Sequence, residues 1–573
     1  MKRLTTLALL GALMSCRAAE YPAATAKTNA GKLTDNAGAA SATEALPNLP
    51  QVKTPSFRAD TASVVKFGAV ADGVAKNTQA FQQAIDAVSK AGGGVVLVPR
   101  GHWLTGPIEM RSNVNLHLAK GALVQFSADR ADYHLIKTSW EGVAAVRNRA
   151  QIYGQNLENI AITGQGVFDG AGNTWRPVKK GKLTDSQWKR LVESGGVLNE
   201  KKDTWYPSAS ALKGSTIKEA FYLKPGKEVK DYEDIKDFLR PDMMVLDRCK
   251  RLMLEGVTFQ NSPAWTLHPL MSEDITVRNV TVLNPEYGQN TDAIDLESCR
   301  NGIVEDCTFD VGDDAICIKS GRDEQGRERN MPTENFIIRN TKVYHAHGGF
   351  VIGSEMSGGA RNIYASNLTF MGTDVGLRFK TTRGRGGVVE NIFINNVDMR
   401  DIVGQAIIFD MYYMAKDPVP LAGESAAPPV IKAELLNEGT PQFRKISIKD
   451  VTCNGAETGI LVRGLPEMPI RDISIENATL QSTKGLVCIE AENIRLKNVA
   501  LLTTQTLPVM EIQNSKDIVL DGIRYKPGAE LLMRVTGDRA KGVKLANTDT
   551  KAAKKDVEFG DKVSKKVLSI SKL

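Results

Sequence analysis

One eight-residue phrase recurs ten times in this chain, and it leaves few folds open. The copies begin at Leu252 (LMLEGVTF), Ile275 (ITVRNVTV), Gly302 (GIVEDCTF), Phe336 (FIIRNTKV), Ile363 (IYASNLTF), Ile392 (IFINNVDM), Ile446 (ISIKDVTC), Ile473 (ISIENATL), Ile494 (IRLKNVAL) and Ile518 (IVLDGIRY). Apolar residues alternate with polar ones, and the fifth position is often Asn or Asp. Alternation at period 2 is the signature of a strand with one buried face. Start-to-start steps run from 21 to 34 residues, with one of 54. A strand returning at that interval implies a solenoid of stacked β-coils. A helical solenoid would show period 3.6, and a propeller blade would need a longer, four-stranded repeat. A second strand closes the same intervals: AIDLES from Ala293, AICIKS from Ala315, GFVIGS from Gly349, GLRFKT from Gly376 and AIIFDM from Ala406. The expected fold is all-β, a right-handed parallel β-helix over 61–540.

The flanks and interruptions read differently. Asn77 or Thr78 is placed to cap a helix with Phe81, Ala84, Ile85 and Val88 on one face, ended by Gly92-Gly93-Gly94. Such a helix would plug the open end of the solenoid. Residues 171–240, with Trp175, Trp188 and Trp205, and residues 413–442 break the repeat and are expected to project as loops. After 540 the chain reads as a basic tail, 541–573, with nine lysines against four acids. The first 19 residues place a short apolar run, Leu4 to Ser15, behind Lys2 and Arg3, which is a secretory leader. Cys16 ends that run and resembles the lipidated cysteine of a bacterial lipoprotein signal, followed by a tether over 20–60 rich in Ala, Thr, Asn and Pro. The expected location is therefore exported, periplasmic or on the outer membrane or cell surface of a Gram-negative bacterium, with possible membrane attachment through an N-terminal lipid.

Composition excludes some classes. The charge of +7 is gathered in the leader, in 171–240 and in the tail, with no basic stripe interleaved with aromatics, so no nucleic-acid partner is expected. The seven cysteines show no CxxC pair and no Cys/His ligand spacing, which argues against zinc.

The chemistry gathers in one column. Asp292 and Asp314 occupy equivalent positions of successive second strands, with Asp313 beside the latter, and stacked strands lie roughly 4.8 Å apart. The next coils add His347, then Arg378 and Lys380, then Tyr412. An Asp-Asp pair alone is most often a turn, and a lone His is most often structural. Five successive coils placing ionisable groups in one column point to function, because clustered carboxylates destabilise a fold. Carboxylates flanking a bond are what glycoside hydrolysis requires, and the cations suit a uronic acid chain. The pair His345 and His347 lacks a third ligand, so no metal is expected.

Four motifs in order, Asn290-Thr291-Asp292, Asp313-Asp314, His347-Gly348-Gly349 and Arg378-Phe379-Lys380, resemble the signatures of the polygalacturonases of glycoside hydrolase family 28 over roughly residues 62–525. The resemblance implies an inverting hydrolase of α-1,4-galacturonosidic bonds in pectin without a cofactor. It further implies Asp313 as general acid, Asp292 and Asp314 as the bases that activate water, and His347 as support for the acid. Asn290, Arg378, Lys380 and Tyr412 would contact substrate. Two departures are Ala346 where the family has Gly, and Phe379 where it has Ile. The segment 262–269 and the 171–240 insertion resemble exo-acting members, so end-wise release by a monomer is the expectation. Alternatives are an endo-acting or rhamnogalacturonan-type hydrolase, a calcium-dependent pectate lyase, and a non-catalytic polysaccharide-binding β-helix.

Overall fold

A computed structural model of the protein describes residues 49–415, 419, 431–560 and 563–571. Cys16, the leader, most of the tether and the middle of 413–442 lie outside the described residues. Two long parallel sheets, of 24 and 14 strands, carry the described chain. The phrases read from the sequence stack in register. Leu252 pairs with Ile275, Ile275 with Gly302, and the series continues through Phe336, Ile363, Ile392, Ile446 and Ile473 to Ile494. The second strands do the same, Ile294 on Ile316 on Phe350 on Leu377 on Ile407. The architecture is a parallel β-helix.

The fifth position of each phrase is a corner. All ten residues there have φ between 51° and 78°, the left-handed region that Asn, Asp and Gly tolerate best. Their amides also form a ladder along the surface, Asn367 donating to Asn340 at 2.9 Å and Asn396 to Asn367 at 2.9 Å, so each corner is tied to the next coil. Inside, the side chains stack in files. Phe168 lies between Phe126 and Phe259 with centroids 6.0 and 5.4 Å away, and Phe379 rests on Phe409 at 4.3 Å. The larger ring at 379 therefore extends an existing stack.

The helix Thr78–Lys90 buries Phe81, Ala84, Ile85 and Val88 as expected. Its capping does not follow the sequence reading. The Asn77 side chain makes no cap; its oxygen accepts from the Val70 amide at 2.7 Å and its amide donates to the Ala75 carbonyl at 2.8 Å. Thr78 instead accepts from the Gly106 amide at 2.6 Å. Both groups tie the helix entry to the coils rather than to the helix itself.

The far end corrects the boundary. Val543–Ala546 pairs with Leu568–Ser571, and Met533–Thr536 with Val557–Phe559, so the expected tail 541–573 supplies further strands of the solenoid. Its lysines occupy outward positions and mask the inward alternation of Val543 and Leu545, both buried. The 171–240 insertion is more than loop. It holds a small antiparallel sheet of Val178–Lys179, Thr204–Tyr206 and Val197–Leu198, and the helices Asp185–Glu193 and Ala209–Ser215. A hairpin of Leu135–Trp140 and Val143–Asn148, absent from the sequence reading, stands beside it. The six described cysteines are buried and unpaired.

Candidate active site

The parallel register builds the site. Because Ile294 lies on Ile316, Asp292 lies on Asp314, and His347 sits over Asp313, whose carbonyl accepts the His347 amide at 2.9 Å. Oxygens of Asp292, Asp313 and Asp314 approach within 4.8 Å of one another. The three differ in access. Asp292 and Asp314 are 3% and 1% exposed, while Asp313 is half-buried and faces the cleft. Asp313 is held by two backbone amides, of Asn290 and Asp314, each at 3.0 Å. Gly348 is required here. A Cβ on it would meet Val351 Cγ2 at 2.4 Å and Asp314 Oδ1 at 3.0 Å.

Electrostatics divides the trio. Burial, reinforced by the charges of Asp295, Asp313 and Asp314, pushes the pKa of Asp292 well above the carboxylate range against the opposing pull of Lys319. Burial alone would raise Asp314 too, but Lys380 and Arg378 outweigh it and hold Asp314 ionised. Lys380 Nζ donates to Asp314 Oδ2 at 2.7 Å, and Arg378 stands 3.6 Å from Oδ1. Lys380 is only 6% exposed. Its partner in the fold is Asp314, and Arg378, two residues earlier on the same strand face, lies against the same carboxylate and is somewhat more open.

Two expected contacts are arranged differently. The Asn290 side chain is turned away to accept from Arg240 at 3.2 Å, and it is the backbone of Asn290 that serves the site. Tyr412 is buried in the hydrophobic core with the Arg463 guanidinium 5.9 Å from its ring. The neighbouring Tyr413 takes the predicted place, its ring 4.9 Å from Lys380 Nζ and 5.5 Å from Arg378. The chain leaves its strand at Asp410, so the alternation that favoured Tyr412 no longer applies. His347 lies at the cleft as expected, with Nδ1 2.8 Å from Asp374, a partner the sequence reading missed.

A charged layer unseen in the sequence backs the trio. Asp295, fully buried, has an oxygen within 4.8 Å of Asp292 and of the Cys317 sulfur, and burial pushes its pKa up to about 7 against Lys319 and His268. Lys319 is 3.5 Å from Asp295 and 3.1 Å from Glu355, with its ammonium 4.6 Å over the Trp265 ring. His268 lies 3.0 Å from Glu297 and 3.7 Å from Asp242, and these carboxylates outweigh its burial to bring it up to about 9. The carboxylate trio has the donors for a cation, but Lys380, Arg378 and Lys319 already supply its positive charge. The two histidines do not converge, since His345 is bound to Asp310 at 3.0 Å and His347 to Asp374.

A wall closes one end of the column. Successive outward positions of the 14-stranded sheet run Asp295, Cys317, Val351, Arg378, Ile408, Leu461, Val487. The first three are fully buried under a wall. Trp140 of the hairpin stacks on Trp265 at 4.1 Å, Arg147 lies 3.4 Å over Trp140, and Gln325 of the helix Asp323–Arg329 accepts from the Ala144 amide at 2.7 Å. From the insertion, Arg240 reaches the carbonyls of Pro263 and Gln289 at 2.7 and 3.0 Å. On the other side a groove of about 560 Å³ opens from Arg378 along Ile408, Leu461 and Val487.

Comparison with known proteins follows the same lines. The family model described as glycosyl hydrolases family 28 matches residues 228–426, and one described as rhamnogalacturonase A/epimerase, pectate lyase-like, matches 61–187. A probable polygalacturonase of Vitis vinifera is 29% identical over 435 residues, spanning 74% of this chain and 75% of that protein. An exo-poly-alpha-D-galacturonosidase of Dickeya chrysanthemi is 27% identical over 361 residues, spanning 61% of this chain and 57% of that protein. The crystal structure of a hyperthermoactive exopolygalacturonase from Thermotoga maritima is 31% identical, with a TM-score of 0.59 over 75% of this chain and 89% of that one.

Proposed function

Since this chain belongs to glycosyl hydrolases family 28, we propose that it hydrolyses the α-1,4-galacturonosidic bonds of pectin from one chain end. The observation that supports the end-wise reading is the wall: the sheet face is filled from Asp295 to Val351 and open from Arg378 onward, so a polymer lying along the open side ends against the wall.

The residues divide the work as follows. Asp313 is the carboxyl that faces the cleft, and it protonates the leaving glycosidic oxygen. Asp292 Oδ1 and Asp314 Oδ1 are buried acceptors without a hydrogen-bond partner in the fold, and together they orient and deprotonate the attacking water. Burial and like charge make Asp292, in its ionised form, a stronger base than an ordinary carboxylate, and it is this form that takes the proton of the water. Arg378, half-open, reads the carboxylate of the first galacturonate and Tyr413 packs over the cationic pair. His347, held by Asp374, lies beside Asp313.

The approach of the carboxylates within 4.8 Å is nearer to the separation of retaining glycosidases than to the roughly 6.5–9.5 Å usual for inverting ones. NMR of the first anomer released from trigalacturonate decides this point. Inversion is expected, because Asp314 is neutralised by Lys380 and Arg378 and makes a poor nucleophile.

Polygalacturonate incubated with chelator tests the whole reading. Saturated galacturonate accumulating from the start is expected, with Asp313→Asn lowering the rate by about 10²–10⁴-fold. A ladder of oligomers would sink the end-wise reading, and an unsaturated, ultraviolet-absorbing product would replace the hydrolase by a lyase. We further propose export with lipidation at Cys16, supported by the basic, apolar leader before it. Loss of membrane fractionation in Cys16→Ser would support anchoring, and unchanged fractionation would refute it.

A further inference from the structure

The groove beyond Arg378 has a chemistry that its position in a pectin hydrolase does not require. Its floor is the outward column Ile408, Leu461, Val487, one residue per coil, spanning roughly 10 Å at the spacing of stacked strands. The next positions are Glu511 and Arg534. Three successive aliphatic residues on the outer face of a sheet give a strip suited to the C–H faces of pyranose rings or to a methyl ester.

Beyond Arg378, the cations of the walls are already matched. Arg463 holds Asp410 through two hydrogen bonds of 2.9 Å. Lys484 lies 3.2 Å from Glu457, and Arg534 lies 2.9 Å from Glu558. Arg378, at the mouth of the groove, is the cation assigned above to the terminal galacturonate. A galacturonate entering this groove would bring a full negative charge onto an aliphatic floor between neutralised pairs, beside the carboxylate of Glu511, which is 8% exposed. Desolvating a carboxylate without a partner is costly, and breaking a bidentate Arg–Asp pair to supply one is costly too. An uncharged sugar can hydrogen-bond to the same pairs without separating them, and to Gln405 and Thr458 on the wall.

We propose that the groove over Ile408, Leu461 and Val487 takes uncharged hexose units, so that the enzyme removes a terminal galacturonate from chains whose following units are methyl-esterified or neutral. This rests on the reading of Asp313 and Arg378 as the cleavage site. It assigns to the groove a specificity opposite in charge to that of Arg378.

Two tetragalacturonates serve as probes, one fully ionised and one methyl-esterified on the two units farthest from the cleaved bond. Their affinities for Asp313→Asn by calorimetry, and kcat/KM for the unaltered enzyme, are compared with digalacturonate as a reference too short to reach the groove. The esterified tetramer is expected to bind about tenfold more tightly, from roughly 1–3 kcal/mol for one unpartnered buried group. Replacing Leu461 by Lys (Leu461→Lys) places an unmatched cation on the floor and should move that ratio several-fold toward the ionised tetramer. A third probe with galactose in place of the esterified units separates tolerance of any neutral sugar from recognition of the ester. Equal or tighter binding of the ionised tetramer overturns the proposal, as does failure of either tetramer to bind more tightly than the dimer. If no probe is cleaved, the hydrolase reading fails, and the affinity ratio still decides the preference of the groove.

Discussion

One sheet face carries two environments that differ in everything except register. Asp295 and Cys317 occupy the same outward column as Ile408 and Leu461, a few coils apart. At the first pair the hairpin, the insertion and the helix Asp323–Arg329 exclude water, and the charges beneath are strongly coupled: Asp295 up to about 7, Glu355 down to about 2, with burial opposed in each by Lys319. At the second pair the face is open, and the ion pairs lie at a groove rim. The same strand geometry thus yields a reactive centre where loops cover it and a binding surface where they do not.

The largest expected effect sets two lysines of these environments against each other. Lys380→Met removes the hydrogen-bonded partner of the buried Asp314, leaving only Arg378 at 3.6 Å, and should destabilise the fold by about 3–5 kcal/mol, with activity lost. Lys484→Met, at the groove, removes a pair with Glu457 worth about 0–1 kcal/mol. Calorimetric melting of both variants checks this, and similar losses would erase the distinction.

Next is a gain. Asp292 has a pKa raised above its unfolded value of 3.8, so the unfolded chain releases that proton first, and folding loses stability as pH rises from that value through the raised one. Asp292→Asn should therefore raise the stability at pH 7 by about 0.5–2 kcal/mol, read as a higher melting temperature, while abolishing hydrolysis. Asp314 works the other way. Its depressed pKa contributes stability that is present above 3.8 and lost as pH falls through the folded value. Melting temperature against pH in Asp292→Asn and in the unaltered protein separates the two, the variant losing the decline toward neutrality.

A smaller shift tests the buried layer. Asp295 adds negative charge beside Asp292, alongside Asp313 and Asp314, with Lys319 opposing. Asp295→Asn removes that charge, eases ionisation of Asp292, and should move the acid limb of kcat/KM to lower pH; an unmoved limb would uncouple the pair. The smallest effect is expected from Asp374→Asn, because the His347–Asp374 contact is solvent-exposed: up to about fivefold in kcat, from a pair worth about 0.2–1 kcal/mol.

Much of this was legible in advance. Alternation marked the strands and the recurrence of Asn or Asp at the fifth position fixed their phase, so the coil register, and with it the meeting of Asp292, Asp313 and Asp314, followed from counting; that Asn279, Asp306 and Asn340 are left-handed corners came from the structure. The reading failed where alternation stops. Tyr412 lies past the strand end, and Tyr413 faces the cations instead. Lysines on the outward face hid Val543 and Leu545, and with them the last coils. Asp295 was visible inside its own phrase, but nothing local distinguishes a buried carboxylate from an exposed one on the outer face of a strand.

The sequence by itself determined the solenoid, its register and the catalytic column, because these depend on period-2 alternation and a fixed stacking distance, both local properties. Only the tertiary structure decided which side of the column is closed, that Lys380 belongs to Asp314, and that the groove cations are matched. Those outcomes depend on segments such as the hairpin at 135–148 and the helix Asp323–Arg329, far apart in the chain and brought together over one sheet face. Burial by remote loops sets the local dielectric, and the dielectric fixes whether a charge is a solvated ornament or part of the chemistry.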